Sequence, residues 1–199
     1  VEEAWWPPPS GSVLQLGGKG AALVLTFACE PCAKGASSAG VELSDLSRRW
    51  AQRGSRGMLA TALTEGAVSV GDEARLLVGL FEPLASEHPA RVRDVLAKLP
   101  HGKVLGWDTL AALAGAPTDF SMRGMPGLLK KAAANGLPAH RVVDSSWHMI
   151  PRHLSMQPET LEAEEVRVCT HTGKVLDRAA VEWSPSHEDL YSQPATNLN

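Results

Sequence analysis

The sequence predicts an α+β protein in which a β-rich first part is followed by a helical second part. Up to about residue 80, short apolar runs alternate with glycine-containing turns, as they do in antiparallel sheets. From about residue 87, apolar residues recur with a period near 3.6, which is typical of amphipathic helices. The chain has 199 residues, and this length suits one large domain or two small ones. We place the boundary near Glu82–Pro89, with domains at 1–84 and 87–185 and a disordered tail at 186–199.

Five apolar runs in the first part are predicted to be strands. They are short, and Gly or turn signals such as Glu65-Gly66 and Gly71-Asp72 separate them. The predicted strands are Val13–Leu16, Ala22–Phe27, Leu59–Leu63, Ala67–Val70 and Ala74–Val78.

Three helices are predicted in the second part, at Ala90–Leu99, at about Trp107–Ala114 and from near Pro126 to Ala134. Gly115 can cap the second helix, and Asn135-Gly136 ends the third. A short turn between the second and third helices predicts a helix-turn-helix. Two short strands, Val166–Val168 and Lys174–Leu176, are predicted to form a terminal hairpin around the Thr172-Gly173 turn.

Composition excludes several classes of protein. Hydrophobic residues make up 44% of the chain, which rules out disorder along its whole length. No apolar run approaches the roughly 18–20 residues that a membrane span needs, so no membrane association is expected. Three cysteines are too few for a disulfide scaffold and indicate a reducing compartment.

The net charge of −3 hides an uneven distribution. Residues 87–157 carry nine basic and five acidic residues, a net charge of +4, together with five of the seven histidines. Residues 158–199 carry three basic and eight acidic residues, a net charge of −5. The basic middle segment is either a solvated face or a surface for nucleic acid.

Two strings in this basic segment resemble one protein family. Residues 100–104 read Pro-His-Gly-Lys-Val, and residues 138–143 read Pro-Ala-His-Arg-Val-Val. Together with Leu110-Ala111 and Ala114-Gly115, they resemble the DNA-binding domain of O6-alkylguanine-DNA alkyltransferases over roughly residues 88–168. The resemblance implies a winged helix-turn-helix-like alkyltransferase DNA-binding domain.

Ala139 stands where that family carries the Cys that accepts the alkyl group from a flipped guanine. Alkyl transfer needs a nucleophile, and a methyl side chain cannot supply one. Cys169, the remaining cysteine of this half, is predicted to lie on a strand some 30 residues away. The domain therefore resembles the alkyltransferase-like proteins, which bind the lesion without transferring its alkyl group.

The resemblance implies a set of DNA-contacting residues, each with a plainer alternative. Arg123 matches the arginine that enters the duplex in place of the flipped base, or is an ordinary surface residue. Lys130 and Lys131 contact phosphate or solvate the end of a helix. Trp107 stacks on a nucleotide or packs in the core, and Lys103 lies in the turn before it.

The lesion pocket is expected around the second string. Its implied residues are Ala139, His140, Arg141, Val142, Ser145 and Trp147. Trp147, Met149 and Ile150 either line its far wall or belong to the core. The family also pairs the motif arginine with a Glu on the last helix, and Glu164 is the expected structural partner of Arg141.

The first part resembles the second half of a MOSC domain. The residues that carry this resemblance are Cys29-Glu30-Pro31-Cys32, Arg56-Gly57-Met58-Leu59-Ala60 and the run from Gly66 to Asp72. It implies a partial domain whose front is missing, with Cys32 as a sulfur carrier or a contact of a molybdenum cofactor. A redox pair with Cys29, half of a zinc site, or cysteines without chemistry are the alternatives.

The leading hypothesis is therefore a non-catalytic sensor that recognises O6-alkylguanine by base flipping and feeds DNA repair. The expected partners are double-stranded DNA with alkylated guanine and nucleotide excision repair proteins, and we expect a monomer. We expect the DNA-binding domain to need neither cofactor nor metal. The sequence does not identify the compartment, and DNA binding implies an intracellular one: a nucleus, nucleoid or DNA-containing organelle. The rival is a MOSC-type sulfur carrier or molybdenum-cofactor-related enzyme acting through Cys32, with a persulfide sulfur or that cofactor. A structural fusion without an active site is the third hypothesis.

Overall fold

The computed structural model describes residues 7–17, 20–53, 57–115 and 118–190. The chain divides into two units, residues 1–86 with 187–199 and residues 87–186. One unit contains an antiparallel sheet and the other is mainly helical, so the α+β class predicted from the sequence is confirmed.

The first unit is built on a four-stranded antiparallel sheet in the order β3-β2-β1-β4. Alternation of apolar side chains places Val13 opposite Val24, and both are buried at the centre of the unit's apolar cluster. The strands are β1 (Val13–Leu16), β2 (Ala22–Ala28), β3 (Met58–Thr64) and β4 (Ala74–Leu77).

Two helices, α1 (Ala33–Ser38) and α2 (Leu43–Arg53), connect β2 to β3, and the sequence did not predict them. The Cys32 thiol takes the place of the usual Ser or Asp at the start of α1 and accepts a hydrogen bond from the Gly35 N–H. Leu46 is buried on α2, and that burial stabilises a helix whose other described side chains are mostly polar.

Ala67–Val70 forms no strand, and that prediction is wrong. The Asp72 carboxylate accepts the Ser69 N–H, and the Asp72 N–H donates to the Ser69 carbonyl. Gly71 adopts a positive φ in the same turn. These hydrogen bonds use backbone groups that would otherwise pair with a neighbouring strand. Val70 is fully exposed.

The second unit begins with three helices, α3 (His88–Lys98), α4 (Trp107–Leu113) and α5 (Thr118–Ala134). A two-residue strand β5 (Leu105–Gly106) precedes α4 and pairs in parallel with β6 (Val142–Val143). A 3₁₀ helix, Ala139–Arg141, lies just before β6. The smaller helices α6 (Gln157–Ala163) and α7 (Arg178–Val181) follow.

Helix α5 starts at Thr118, eight residues before the predicted start at Pro126. Pro126 lies inside the helix, where a missing N–H normally ends one. Met125, Leu129 and Ala132 recur at helical spacing and are buried, so their packing offsets the proline. Helices α4 and α5 pack together, but the turn between them includes residues 116–117, which lie outside the described residues. The helix-turn-helix therefore stays a prediction.

Glycine ends both helices where the sequence predicts it. Gly115 follows α4 with φ +72°, and Gly136 follows α5 with φ +76°. The Leu137 N–H then returns to the Ala132 carbonyl and the Gly136 N–H to the Ala133 carbonyl, which is a Schellman end.

The predicted terminal hairpin is reduced to a single antiparallel bridge between Val168 and Val175. Cys169 lies in the tight turn between them, because the Gly173 N–H donates to the Cys169 carbonyl. Placing Cys169 on a strand was therefore wrong. The start of the predicted disordered tail instead forms a short helix, α8 (His187–Leu190), and residues 191–199 lie outside the described residues. No helix in the described ranges is long and apolar enough to cross a membrane.

Candidate functional site

The two family-like strings of the second unit meet at one carboxylate, that of Glu164. The Arg141 guanidinium donates from Nε to Oε2 at 2.8 Å and from Nη2 to Oε1 at 2.7 Å. The His140 Nε2 lies 2.8 Å from Oε1, and the Gly102 N–H donates to Oε2 at 3.0 Å. Because an ionised carboxylate only accepts, His140 is the donor in its bond. The Arg141–Glu164 pair predicted from the sequence is present, and we call this four-residue arrangement the Glu164 clasp.

The local backbone conformation positions Gly102 and Arg141 next to Glu164. Gly102 is the third residue of a turn closed by the Lys103 N–H and the Pro100 carbonyl, and its φ is +70°, which glycine adopts without strain. Arg141 ends the 3₁₀ helix and donates from Nη1 to the Leu99 carbonyl at 2.7 Å. The clasp therefore joins the end of α3, the 3₁₀ helix and the end of α6.

Glu164 is 8% exposed and lies at the C-terminal end of α6, where the helix dipole disfavours a negative charge. Burial by itself raises the pKa of this carboxyl. Hydrogen bonds from Arg141, His140 and the Gly102 N–H, together with the Arg141 charge, outweigh that effect and lower the pKa to about 2. The carboxylate is thus ionised throughout the physiological range.

Gln157 is a second polar anchor, and the sequence analysis did not single it out. Its side chain is 1% exposed. It accepts the Ile150 N–H and donates to the carbonyls of His140 and Val142, at 2.9 and 2.7 Å. Helical spacing was the signal available, since Gln157, Leu161 and Glu164 follow one another at intervals of four and three. A polar residue at the spacing of the buried Leu161 predicts a buried hydrogen-bonding role.

A groove of about 640 Å³ opens beside the clasp. Its walls are the end of α5, the loop that follows α5, the 3₁₀ helix and the segment that leads into α6. The lining residues are Ala97, Lys130, Ala133, Gly136–Pro138, His140, Arg141, His153–Gln157 and Thr160. A volume of this size lies within the range of small-molecule sites.

Only part of the predicted lesion pocket lies along this groove. His140 and Arg141 line it, whereas Ala139 and Val142 are fully buried and do not. Trp147 is 6% exposed and packs with Val104, Val143 and Leu161, so the core alternative is correct and its placement in the pocket is wrong. Apolar packing decides this position, because the large indole gains more by burial than by lining an open groove.

Ser145 and Trp107 lie together. The Trp107 side chain is partly exposed at the start of α4, and its Nε1 donates to the Ser145 Oγ at 2.8 Å. Ser145 does not line the groove. Lys103 Nζ donates to the Ala180 carbonyl at 2.8 Å, so part of its donor capacity is used within the protein. Met149 is half-buried against the core, and Ile150 is buried.

Helix α5 carries the other predicted DNA contacts. Arg123 lies in the second turn of α5 instead of at its start, because the helix begins earlier than predicted, and its side chain lies outside the described residues. Lys130 and Lys131 are exposed near the end of α5. Lys130 lines the groove and Lys131 does not. Asn135 follows the helix and donates from its side chain to the Lys131 carbonyl.

The candidate residues of the first unit are its two cysteines. Cys29 and Cys32 are both partly exposed, and both thiols are free. Arg56 lies outside the described residues. Across the described ranges, no group of three or more His, Cys, Asp or Glu side chains could hold a metal ion.

Comparison with known proteins gives different results for different parts of the chain. Residues 1–75 match the family model of the MOSC domain. This confirms the resemblance that the cysteine string predicted. A comparison with curated proteins finds no match.

Solved structures that are similar to the chain include two from S. pombe. One is S. pombe Atl1 in complex with damaged DNA containing O6-carboxymethylguanine, at 23% identity and a TM-score of 0.43, covering 49% of this chain and 95% of that one. The other is S. pombe ATL in complex with DNA, at 22% identity and a TM-score of 0.42, covering 49% of this chain and 94% of that one.

Removing the acceptor of the Glu164 clasp should destabilise the second unit. Glu164→Gln leaves the mostly buried Arg141 guanidinium without its counter-charge, and we expect a loss of about 2–4 kcal/mol in the free energy of unfolding. Glu162→Gln, an exposed change on the same helix, should cost less than about 0.5 kcal/mol. Urea unfolding followed by circular dichroism measures both, and equal losses would contradict the role given to Glu164.

The clasp also predicts how stability depends on pH. In the unfolded chain Glu164 titrates near its ordinary value of 4.5, and in the folded chain near 2. Its contribution, on the order of 3 kcal/mol, is therefore complete above about pH 5 and is lost as the pH falls towards 2. The difference in unfolding free energy between the wild type and Glu164→Gln should accordingly be smaller at pH 3 than at pH 6. A difference that stays constant would show that Glu164 has an ordinary pKa.

Proposed function

We propose that residues 87–186 recognise an alkylated guanine in duplex DNA and do not transfer its alkyl group. One observation carries the proposal. Ala139 stands at the acceptor position of a motif whose other polar members, His140 and Arg141, are assembled around Glu164. A domain that only binds DNA can function with this arrangement and no nucleophile. A transferase that lacks the thiol cannot carry out its reaction.

No other thiol of this unit lies where it could replace the nucleophile missing at Ala139. The pKa of Cys169 is lowered by hydrogen bonds from the Thr172 hydroxyl and from the backbone N–H groups of Thr172 and His171. This favours a thiolate, but Cys169 lies in the turn before Gly173 and does not line the groove. Alkyl transfer to protein is therefore not part of the proposed function.

The groove beside the clasp is the proposed site of the modified base. A base that stays stacked in a duplex cannot enter such a groove, so placing the modified base there requires its nucleotide to flip out of the stack. The lining combines an apolar floor that includes Leu137, Pro138 and Leu154 with polar groups at the clasp. Apolar surface supports a base and its alkyl group, and polar groups orient them.

Basic charge supplies the general affinity for DNA in this proposal. The net charge of +4 over residues 87–157 attracts the phosphate backbone, and Lys131 and Lys103 are the proposed phosphate contacts. Trp107, partly exposed beside Ser145, is the proposed stacking or packing surface for a nucleotide. Arg123 on α5 is proposed to fill the space left by the flipped base.

The similar S. pombe Atl1 is described in complex with DNA containing O6-carboxymethylguanine. We propose that this chain also binds such a lesion, and the proposal rests on the motif residues of this chain. Such a sensor delivers the lesion to other proteins, and we propose nucleotide excision repair proteins as those partners and a monomer as the binding unit. Within this proposal the DNA-binding unit needs no cofactor.

An equilibrium titration tests the function. Fluorescence anisotropy should report tighter binding to a duplex with O6-methylguanine than to the same duplex with guanine. Both affinities should fall as salt rises, because phosphate contacts release counterions. Mass spectrometry of the protein after incubation should detect no added methyl group. Equal affinity for the two duplexes would exclude lesion recognition, and a methylated protein would exclude the non-catalytic assignment.

Arg123→Ala tests the flipping step. With 2-aminopurine placed next to the lesion, the wild type should raise the fluorescence as the base leaves the stack. The variant should give a smaller rise and weaker lesion binding. Lys131→Ala is the matched control, since loss of a phosphate contact lowers affinity for both duplexes without changing the rise at saturation. An unchanged signal in Arg123→Ala would remove that residue from the mechanism.

A second candidate function belongs to the first unit, where we propose that Cys32 carries sulfur. The match of residues 1–75 to the MOSC family model and the partial exposure of the Cys32 thiol favour it. In the described part of this unit, the Gly35 N–H donates to the Cys32 thiol. In the carrier reaction the thiolate attacks the sulfane sulfur of a persulfide donor, a new S–S bond forms, and the donor leaves as its thiolate.

Mass spectrometry tests this carrier role. After incubation with a persulfide donor, a sulfur adduct should be found on Cys32. Cys29→Ser should retain the adduct and Cys32→Ser should lose it. Absence of the adduct, or equal loading of the two cysteines, would count against a dedicated site.

A further inference from the structure

A second groove of the helical unit, of about 760 Å³, adjoins a different face of α6 from the groove beside the Glu164 clasp. On α6, Gln157 and Thr160 line the groove beside the clasp. Pro158 and Glu162 lie on another face of the helix and line the second groove. The two grooves share no lining residue, so the second one is a separate site, which we call the acidic groove.

The floor of the acidic groove is apolar and continuous with the core of the unit. Val166 is buried in the core cluster, and Met149 and Val168 are half-buried against it. Leu176 lines the same groove and is 41% exposed although its side chain is large and apolar. Apolar surface that the chain leaves open favours binding of a ligand whose own apolar side chains cover it.

The charged side chains of this groove leave a negative excess. Arg167 forms an ion pair with Asp177, so its charge is compensated. Glu162 and Glu165 are exposed along the groove, and neither side chain has an ion pair or hydrogen bond to any described residue. Two uncompensated carboxylates repel DNA phosphates and attract Lys or Arg side chains. The sign of the charge therefore selects a cationic partner.

Glu165 occupies a backbone position that favours glycine. It follows α6 with φ +61°. The Val166 N–H donates to the Leu161 carbonyl and the Glu165 N–H to the Glu162 carbonyl, so α6 has a Schellman end, which usually carries glycine at this position. A glutamate there is less stable than glycine. A contact of its carboxylate with a partner offsets that cost.

We propose that the acidic groove docks a basic amphipathic segment of a partner protein. Apolar side chains of that segment cover Met149, Val168 and Leu176, and its Lys or Arg side chains pair with Glu162 and Glu165. An amphipathic helix meets both requirements, because it presents apolar anchors at i, i+3, i+4 and i+7 between charged positions. The inference does not depend on lesion recognition, since none of these residues lines the groove beside the clasp.

Peptide binding tests the proposal. The probe is a fluorescein-labelled peptide of about 14 residues, with Leu at i, i+3, i+4 and i+7 and Lys at the other positions. Fluorescence anisotropy with the full chain should show saturable binding, with a Kd on the order of 10 μM. Two control peptides, one with Ser in place of Leu and one with Glu in place of Lys, should bind at least about tenfold more weakly. Amide NMR shifts should concentrate at residues 158–168 and 176.

Matched variants separate the groove from the rest of the surface. Glu162→Gln with Glu165→Gln should weaken probe binding about five- to tenfold, and Leu176→Ser about fivefold. Glu159→Gln removes an exposed acid of α6 that lines neither groove, so it should leave the affinity unchanged. All four side chains are exposed, and thermal unfolding checks that each variant is folded.

Glu165→Gly distinguishes docking from a structural role. Glycine adopts φ +61° without strain, so this variant should unfold at a higher temperature than the wild type. It should nevertheless bind the probe more weakly, because the carboxylate is gone. A more stable variant that binds as tightly as the wild type would overturn the role given to this carboxylate.

Several results would overturn the docking site. One is equal affinity of the wild type and the double glutamate variant. Another is an equal loss in Glu159→Gln, because that result identifies attraction to the overall charge of the chain. NMR shifts confined to residues that line the groove beside the clasp would place the peptide there instead. Sedimentation that shows a dimer of the chain, dissociated by Leu176→Ser, would assign the acidic groove to a second copy.

Discussion

The buried carboxylate of Glu164 is the constraint on which the second unit depends. An ionised carboxylate that lies at the C-terminal end of a helix and is largely excluded from water destabilises the fold unless other groups pair with it. Here Arg141 and His140 of the 3₁₀ helix satisfy it together with the Gly102 N–H of the turn after α3. Three segments are therefore held by one charge, and removing that charge would leave Arg141 buried and uncompensated.

In the proposed function, this arrangement separates lesion binding from alkyl transfer. The clasp holds the side chains of His140 and Arg141, and Gln157 holds the His140 carbonyl, so neither uses the side chain of Ala139. The acceptor position can therefore lose its thiol while the wall of the groove stays in place. A site fixed in this way before the ligand arrives does not need ordering on binding, which favours affinity.

Sequence reasoning predicted local features well and tertiary ones poorly. Gly115 and Gly136 marked helix ends because a positive φ is a local requirement, and the motif resemblance predicted the partner of Arg141. The start of α5 was missed because buried packing overrode Pro126, a competition that local sequence does not contain. Burial against a different set of residues places Trp147 in the core, and His153 lines the groove although no motif indicated it.

The proposed function places the flipped alkylguanine in the groove beside the Glu164 clasp. Hydrogen–deuterium exchange, with the protein saturated in turn by an O6-methylguanine duplex and by the matched guanine duplex, tests it most directly. We expect additional protection with the lesion at residues 136–138, 140–141 and 153–157, which line the groove, and equal protection at Lys103 and Lys131, the proposed phosphate contacts. Identical protection by the two duplexes, or lesion-dependent protection confined to other segments, would contradict it.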